Sequence, residues 1–423
     1  MKVKIKPSKN KTNTIVIPPS KSLAHRSIIA ASLSSGTSII SNIDYSVDIS
    51  TTIACMSQLG AKMNKNDSFI EIEGVNQFDI KDSTIIDCSE SGSTIRFLIP
   101  IFSLCGKEII FTGSKRLMER PQDVYLDIFK KQNLMFEYKD DGLHIKGPIK
   151  SDKYILDGSV SSQFITGLLF TLPLLDKDSY ITIQEPFESK SYVDLTIDML
   201  KKFNIYIEVI DDFNFKIKGN QKYISNNISI EGDFSQMSFF SALGLINNDV
   251  LIEGLNKNSL QGDKAFLDIV KNMNGKIIED KVYESTLSDL KGTTIDLKDC
   301  PDLGPIVMAL ATQANGLTHV INAGRLRIKE SDRIYAMEVE LKKLGCDISS
   351  NKSEVFIKGK TLIEGGVTLE GHNDHRIVMA LSILSTIANK EVIINGSEAI
   401  NKSYPNFFND LRKLGIEVIE YDI

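Results

Sequence analysis

The sequence predicts an α/β (α+β) chain of six βαβαββ units in two lobes of three, and three observations carry that prediction. The first is a recurring helix stop. ACMSQLGAKM, DIFKKQNLMF, DMLKKFNIYI, DIVKNMNGKI, VELKKLGCDI and DLRKLGIEVI each end a helix-like run at Gly60, Asn133, Asn204, Asn274, Gly345 or Gly415, and an apolar strand follows. Counted at those residues, the steps are 73, 71, 70, 71 and 70. Gly and Asn are the residues that accept the left-handed backbone of a helix C-terminus. The second is a matching phase upstream. PPSKSLAHRSIIAASLSSG (18–36) aligns with CSESGSTIRFLIPIFSLCG (88–106) at a shift of 70, which sets Arg26 on Arg96 and Gly36 on Gly106. The third is length: 423 residues exceed what one hydrophobic core supports.

Within a unit the pattern runs strand, strongly apolar helix, strand, amphipathic helix and closing hairpin. TIVI, TSIISNI and FIEIEG supply strands of the first unit, and EIIFTG and LHIKG those of the second. The later units repeat the apolar-helix phase as DGSVSSQFITGLLFTLPLL, EGDFSQMSFFSALGLIN, DCPDLGPIVMALATQANG and GHNDHRIVMALSILSTIAN. Solenoid repeats have periods of roughly 20–50 residues, so each unit here is a small layer. Three units counted from Ser20 place the internal boundary near Asp233, where EGDF separates the strand NISI from the next apolar helix.

Composition excludes several classes. With 42% hydrophobic and 25% charged residues the chain is an ordinary globular protein. A net charge of −6 argues against nucleic acid or an anionic membrane as partner, while local cation clusters leave room for a small anion. Cys55, Cys88, Cys105, Cys300 and Cys346 form no CxxC pair and read as reduced thiols of a cytosolic protein. The start, MKVKIKPSKN, lacks the apolar core of a signal peptide. The longest apolar stretch, 165–175, contains Pro173 and falls short of the ~18 residues that span a bilayer.

Polar residues unsuited to a core gather at helix starts. In the apolar-helix phase they are Lys21, Ser22, His25 and Arg26; Ser91, Gly92, Ser93 and Arg96; Ser161, Ser162 and Gln163; Asp302; and Asn373 to Arg376. In the amphipathic phase they are Arg120, Ser189, Lys190, Tyr192, Lys329, Glu330, Arg333 and Lys402. A helix N-terminus offers unpaired N–H groups and about half a positive charge, so the pattern points to small polyanions, phosphates and carboxylates.

Individual segments carry plainer alternatives. In PPSKSLAHR, Ser20 or Ser22 can cap, and the pairs Ser22/Arg26 and Lys21/His25 share helix faces. That is also what a capped surface helix shows, but the apolar run SIIAASL that follows implies a buried helix body with only its start polar. In RLRIKESDR (325–333) a helix would group Lys329, Glu330 and Arg333 and turn Asp332 away, setting a carboxylate between cations as an acid or base. An ion-pair lattice worth a few tenths of a kcal/mol reads the same way. Asp302 opens an apolar helix, where a simple N-cap is the local expectation. His372, Asp374 and His375 in GHNDHR lack a third strong ligand, so no metal site is expected. GxGxxG and GxxxxGK[ST] are absent from the sequence, which removes the dinucleotide and P-loop readings. DGSVSSQF (157–164) offers hydroxyls and an amide, suited to a hydroxylated ring.

Taken in order, PPSKSLAHR, SGSTIR, RLMERP, DGSVSSQF, SKSYVD, QGD, PD, RLRIKESDR, NDHR and NKSYPNFF resemble the 5-enolpyruvylshikimate-3-phosphate (EPSP) synthase family of enolpyruvyl transferases over the whole chain. The resemblance implies an inside-out α/β barrel in each lobe, its three units around a pseudo-threefold axis. The lobes would be 20–231 and 1–19 plus 232–423, with the active-site cleft between them. It implies transfer of the enolpyruvyl group of phosphoenolpyruvate to the 5-hydroxyl of shikimate 3-phosphate in the shikimate pathway to chorismate. No cofactor and no metal are required, and a cytoplasmic monomer is expected. By motif position, Lys21, Ser22, Arg26, Ser161, Ser162, Gln163, Ser189, Asp302 and Lys329 match the shikimate 3-phosphate contacts. Lys21, Gly92, Arg120, Gln163, Arg333, Arg376 and Lys402 match the phosphoenolpyruvate contacts. Asp302, Glu330 and Lys21 match the catalytic groups. Two departures stand out: Glu90 replaces a common Asn beside the phosphoenolpyruvate loop, which bears on glyphosate sensitivity, and Arg325 replaces an Asn that reaches the phosphate. A UDP-N-acetylglucosamine enolpyruvyl transferase would carry a reactive Cys in the second unit, where TGSKRLMERP has none. A non-catalytic binder of phosphorylated metabolites stays open as the alternative of another class.

Overall fold

All six helix stops turn as their chemistry requires. φ is +114° at Gly60, +54° at Asn133, +65° at Asn204, +62° at Asn274 and +86° at both Gly345 and Gly415. After each, the next N–H folds back onto the carbonyl five residues earlier: Ala61 to Met56, Leu134 to Phe129, Ile205 to Leu200, Gly275 to Val270, Cys346 to Leu341 and Ile416 to Leu411. That is the Schellman closure, repeated six times. The computed structural model describes residues 1–9, 11–75, 77–78 and 80–421.

Each repeat unit owns one four-stranded sheet. In the second unit the strands stand in the order Thr84–Asp87, Glu108–Thr112, Gly142–Lys146, Met135–Lys139, the first pair parallel and the rest antiparallel. The third and fifth units repeat that order and those strand directions. The chain forms two compact units, Lys21–Glu231 with repeats one to three, and Met1–Ser20 plus Gly232–Ile423 with repeats four to six.

One strand assignment needs correcting. TIVI does not open the first repeat. Thr14–Val16 lies parallel to Leu251–Glu253 of the fourth, and Ile228–Ser229, from NISI, pairs parallel with Ile40 and Ser41 of the first. Both are short edge strands held by main-chain bonds, and a short apolar run does not encode which sheet edge receives it. The sixth sheet is completed similarly by the N-terminal strand Lys2–Lys6, set antiparallel between Val392–Asn395 and Glu417–Tyr421.

The layering follows from burial. Gly304–Ala311 and His375–Ser385 are buried on every face, as is Phe234–Ile246 from Phe234 to Leu245. Several strands bury one face only, as with Ser38 and Ile40 of Thr37–Ser41 and Tyr154 and Leu156 of Lys153–Asp157, while Glu108–Thr112 of the second unit buries Ile109, Ile110 and Phe111 in succession. Apolar helices are therefore inside and sheets outside, the reverse of the usual α/β order. The second helix of each repeat is amphipathic; Lys190–Lys202 buries Val193, Thr196, Met199 and Leu200 at helical spacing. Gly167 lets Ser162–Thr171 lie against Gly92–Ser103, because a Cβ there would stand 2.5 Å from Arg96 O. Tyr125 Oη fastens the same junction by donating to Arg96 O at 2.6 Å. Each compact unit has its own hydrophobic core. Among the described residues, no helix is long and apolar enough to cross a membrane.

Candidate active site

In Lys21–Glu231 the cations sit at the starts of the buried helices. Lys21 opens Lys21–Leu33, with Nζ 2.8 Å from Asp48 Oδ2. Arg26, one turn on, is 3% exposed. Its Nη1 donates to Ser22 O at 2.7 Å, Nε to Thr196 Oγ1 at 2.9 Å and Nη2 to Tyr192 O at 3.1 Å. The guanidinium also lies 5.3 Å from the Phe97 ring centroid and 5.9 Å from that of Tyr192. Among the described residues these hydrogen-bond partners are neutral, and burial lowers the guanidinium pKa to about 10, Tyr192 acting in the opposite sense. Ser20 does not cap: its buried hydroxyl has no hydrogen-bond partner among the described residues.

The next two helix starts are tied together. Ser91 caps Gly92–Ser103 by accepting from Thr94 N at 3.2 Å, and Ser161 caps Ser162–Thr171 by accepting from Gln163 N at 3.2 Å. Gln163 bridges them, taking Arg96 Nη1 at 2.9 Å and giving Nε2 to Ser93 Oγ at 2.9 Å. The buried Arg120 guanidinium packs on Gly92; a Cβ there would stand 2.7 Å from Arg120 Cζ and 2.9 Å from Nη2, so a larger residue would push the guanidinium from its place. Ser162 is buried at the same start. Ser189, buried and at φ +55°, turns the chain into Lys190–Lys202.

The second compact unit centres on one guanidinium. Arg333 is 0% exposed and binds three carboxylates: Nη1 to Asp302 Oδ1 at 3.0 Å, Nη2 to Glu330 Oε2 at 2.7 Å and Nε to Asp374 Oδ2 at 2.8 Å. Asp302 also receives Lys329 Nζ at 3.3 Å and Arg376 Nη2 at 3.1 Å. Arg376 Nη1 reaches Asp302 O at 3.1 Å and Ser235 Oγ. Lys402 Nζ donates to Asn373 O at 2.5 Å. Burial alone would lower the Arg333 pKa, but Asp374, Glu330 and Asp302 outweigh it and hold it above its ordinary value. For Lys329 burial wins, and its pKa is lowered despite Asp302 and Glu330.

The three carboxylates are not equivalent. The Asp374 side chain is 0% exposed and caps His375–Ser385 through Arg376 N at 3.0 Å, so it is sealed into the fold. Asp302 and Glu330 keep 22% and 20% exposure and so can meet a ligand while gripping Arg333. Two reachable carboxylates on one permanent cation can take and give protons in turn.

Two local expectations change. Lys329 and Glu330 are not on a helix with Arg333. Gly324–Ile328 is a 3₁₀ turn and Arg333–Lys343 begins afterwards, because Asp332 caps it by accepting from Tyr335 N at 2.9 Å. Asp302 does not stand at the capping position of its helix. It lies in the 3₁₀ turn Pro301–Leu303 ahead of Gly304–Ala311, and its carboxylate faces the cations of the fifth and sixth repeats. Partner residues such as Asp48 and Ser235 escaped the sequence reading, since only folding brings distant repeats together. Asp48 had a faint signal in the first turn of Val47–Gln58. Arg325 Nη2 donates to Lys298 O at 2.7 Å, and Glu90 lines a polar pocket with Asp87, Ser89, Thr112, Gly113 and Ser114. His372 Nε2 lies 2.9 Å from Glu340 Oε1.

Each compact unit is thus suited to anions: one carries buried cations at its helix starts, the other two reachable carboxylates on one guanidinium among further cations, the class of site an enzyme of anionic substrates needs. The family model for EPSP synthase (3-phosphoshikimate 1-carboxyvinyltransferase) matches residues 5–411. A 3-phosphoshikimate 1-carboxyvinyltransferase of Clostridium kluyveri is 44% identical over 424 residues, spanning all of this chain and 99% of the relative. One from Clostridium acetobutylicum is 46% identical over 97% of this chain and 96% of its own. The chain belongs to the EPSP synthase family. Its fold is shared with EPSP synthase from Acinetobacter baumannii, at a TM-score of 0.82 and 24% identity over 99% of this chain and all of the other. It is shared equally with the enolpyruvyl transferase NikO from Streptomyces tendae, at 0.81 and 14% over 99% and 98%.

Proposed function

We propose that this chain performs the reaction of its family with the residues placed above: transfer of the enolpyruvyl group of phosphoenolpyruvate to the 5-hydroxyl of shikimate 3-phosphate. Both substrates are anions. Lys21, Ser22, Arg26, Ser161, Ser162, Gln163, Ser189, Asp302 and Lys329 hold shikimate 3-phosphate. Lys21, Gly92, Arg120, Gln163, Arg333, Arg376 and Lys402 hold phosphoenolpyruvate. The two compact units, 20–231 and 1–19 plus 232–423 in the sequence reading, thus serve one reaction. The enzyme works as a cytoplasmic monomer on these small molecules, with no cofactor.

Phosphoenolpyruvate becomes electrophilic at C2 when C3 takes a proton, and Glu330 supplies it. Asp302 takes the proton of the 5-hydroxyl as its oxygen bonds to C2. The product of addition is a tetrahedral ketal phosphate. Elimination then returns a C3 proton to Glu330, re-forms the double bond and expels phosphate, which takes the proton held by Asp302, with Lys21 beside the departing oxygen. Fixed cations stabilise the charge that builds at the carboxylate and phosphate.

The observation that carries this reading is the joint grip of Asp302 and Glu330 on Arg333, at 3.0 and 2.7 Å. Thiol chemistry finds no support, since burial pushes Cys105 to about 11 and Cys346 to about 12. Phosphate release measured with both substrates, and with each alone, tests the proposal. Release that needs both is expected. Binding of shikimate 3-phosphate without any release would leave a metabolite-binding protein instead.

A further inference from the structure

His25 has no place in the roles above, yet it is 1% exposed, lies between two of the site's cations in sequence and starts a chain of buried hydroxyls. Its Nδ1 lies 2.8 Å from Thr52 Oγ1, which is 2.7 Å from Thr94 Oγ1, which donates to Ser91 Oγ at 2.7 Å. Three repeat-one and repeat-two helices are joined by these bonds: Lys21–Leu33, Val47–Gln58 and Gly92–Ser103. The last hydroxyl in the chain belongs to the residue that caps Gly92–Ser103, next to the glycine on which Arg120 packs.

The direction of the relay follows from the other ring nitrogen. Among the described residues Nε2 has no hydrogen-bond partner, and the Phe97 ring lies edge-on at 6.4 Å between centroids. A buried N–H without an acceptor is rarer than a bare acceptor, so the proton belongs on Nδ1. His25 then donates to Thr52, Thr52 to Thr94 and Thr94 to Ser91. Burial, with the Lys21 and Arg26 charges, lowers the His25 pKa well below 6.5, which keeps the ring in the neutral form this direction requires. Ser91, which also accepts from Thr94 N, receives two hydrogen bonds and keeps its own proton to offer beside Gly92.

We propose that His25 is a positioning residue for phosphoenolpyruvate: acting through Thr52, Thr94 and Ser91, it fixes the direction of the hydroxyl relay that holds the start of Gly92–Ser103 in its anion-binding form. This rests on the reaction proposed above. It distinguishes the two nitrogens of one ring, and amide side chains separate them chemically. Asn places its Nδ2 where Nδ1 stands, whereas Gln places its Nε2 where the ring Nε2 stands. His25→Asn keeps the donor to Thr52, and His25→Gln removes it.

The experiment is steady-state kinetics with both substrates on the full chain, for wild type, His25→Asn, His25→Gln and Thr52→Val, with shikimate 3-phosphate affinity measured by calorimetry. His25→Gln and Thr52→Val are expected to raise the KM for phosphoenolpyruvate about 5–10-fold, the worth of roughly one hydrogen bond. kcat and shikimate 3-phosphate affinity should stay within about twofold, and His25→Asn should restore the wild-type KM. Equal KM values for His25→Asn and His25→Gln, or a normal KM in Thr52→Val, would overturn the positioning role while leaving the reaction intact. A wild-type protein without turnover would overturn the reaction reading and this inference with it.

Discussion

Arg26 and Arg333 are the same side chain, both almost without solvent contact, and their surroundings push them in opposite directions. Arg26 is held by the carbonyls of Ser22 and Tyr192, the hydroxyl of Thr196 and aromatic rings, and burial brings it down to about 10. Arg333 is held by Asp302, Glu330 and Asp374, which raise it. A buried cation among neutral groups has given up water without gaining a counter-ion, which suits a residue whose counter-ion is a ligand. A cation already matched by carboxylates is a platform that fixes those carboxylates instead. On the proposed reaction, Arg26 serves anion capture first, and Arg333 serves proton handling first by fixing Asp302 and Glu330.

The largest expected effect breaks the platform side. Asp302→Asn and Glu330→Gln should each lower turnover by ~10²–10⁴, the usual worth of a positioned acid or base, in a phosphate-release assay. Glu330→Gln should also slow uptake of solvent deuterium at C3 of phosphoenolpyruvate, read by mass spectrometry. Near-normal turnover in both variants would reduce the carboxylates to ion-pair partners.

Stability separates the two arginines next. Arg333→Met strands three carboxylates around an apolar chain and should cost about 3–5 kcal/mol in urea unfolding. Arg26→Met removes a charge with no counter-ion among the described residues and should change stability by about 1 kcal/mol in either direction. The order reverses for ligand binding. Losing the Arg26 charge should weaken shikimate 3-phosphate roughly 10–100-fold in calorimetry, as expected for charge-assisted hydrogen bonds. Equal unfolding costs for the two substitutions would erase the contrast.

The smallest effect lies in the acid limb. Burial first, then Lys21 and Arg26, hold folded His25 well below 6.5. As pH falls past that value the unfolded chain takes up a proton that the folded chain refuses, so stability is retained above 6.5 and lost below it. The slope from one such group is at most about 1.4 kcal/mol per pH unit. His25→Asn should flatten the curve of unfolding free energy between pH 6.5 and lower values by up to that amount; an unchanged acid limb would show that folded His25 accepts the proton.

Gly60 and Asn133 show why the repeats were legible: a left-handed stop is a local requirement, met by two residue types at fixed spacing. The buried helices were legible for the same reason, since SIIAASL or LGPIVMALA leaves no polar face. Thr14–Val16 was not, because its partner lies more than two hundred residues away and its short apolar pattern fits either sheet edge. At the site, residue types were readable but geometry was not. Asp302 looked like a helix cap until Lys329, Arg333 and Arg376 were seen to claim its carboxylate. Asp332 ended the supposed helical grouping of Lys329 and Glu330 by capping one turn later than the sequence pattern suggested.

The division of labour is tested most directly by calorimetric binding of shikimate 3-phosphate to Asp302→Asn. Affinity within about threefold of wild type, or roughly 0.6 kcal/mol, is expected, because Arg26 and the helix starts of Lys21–Glu231 hold the phosphate. Affinity that falls in step with turnover would contradict it, and would make binding of shikimate 3-phosphate, rather than proton transfer, the whole of Asp302's role.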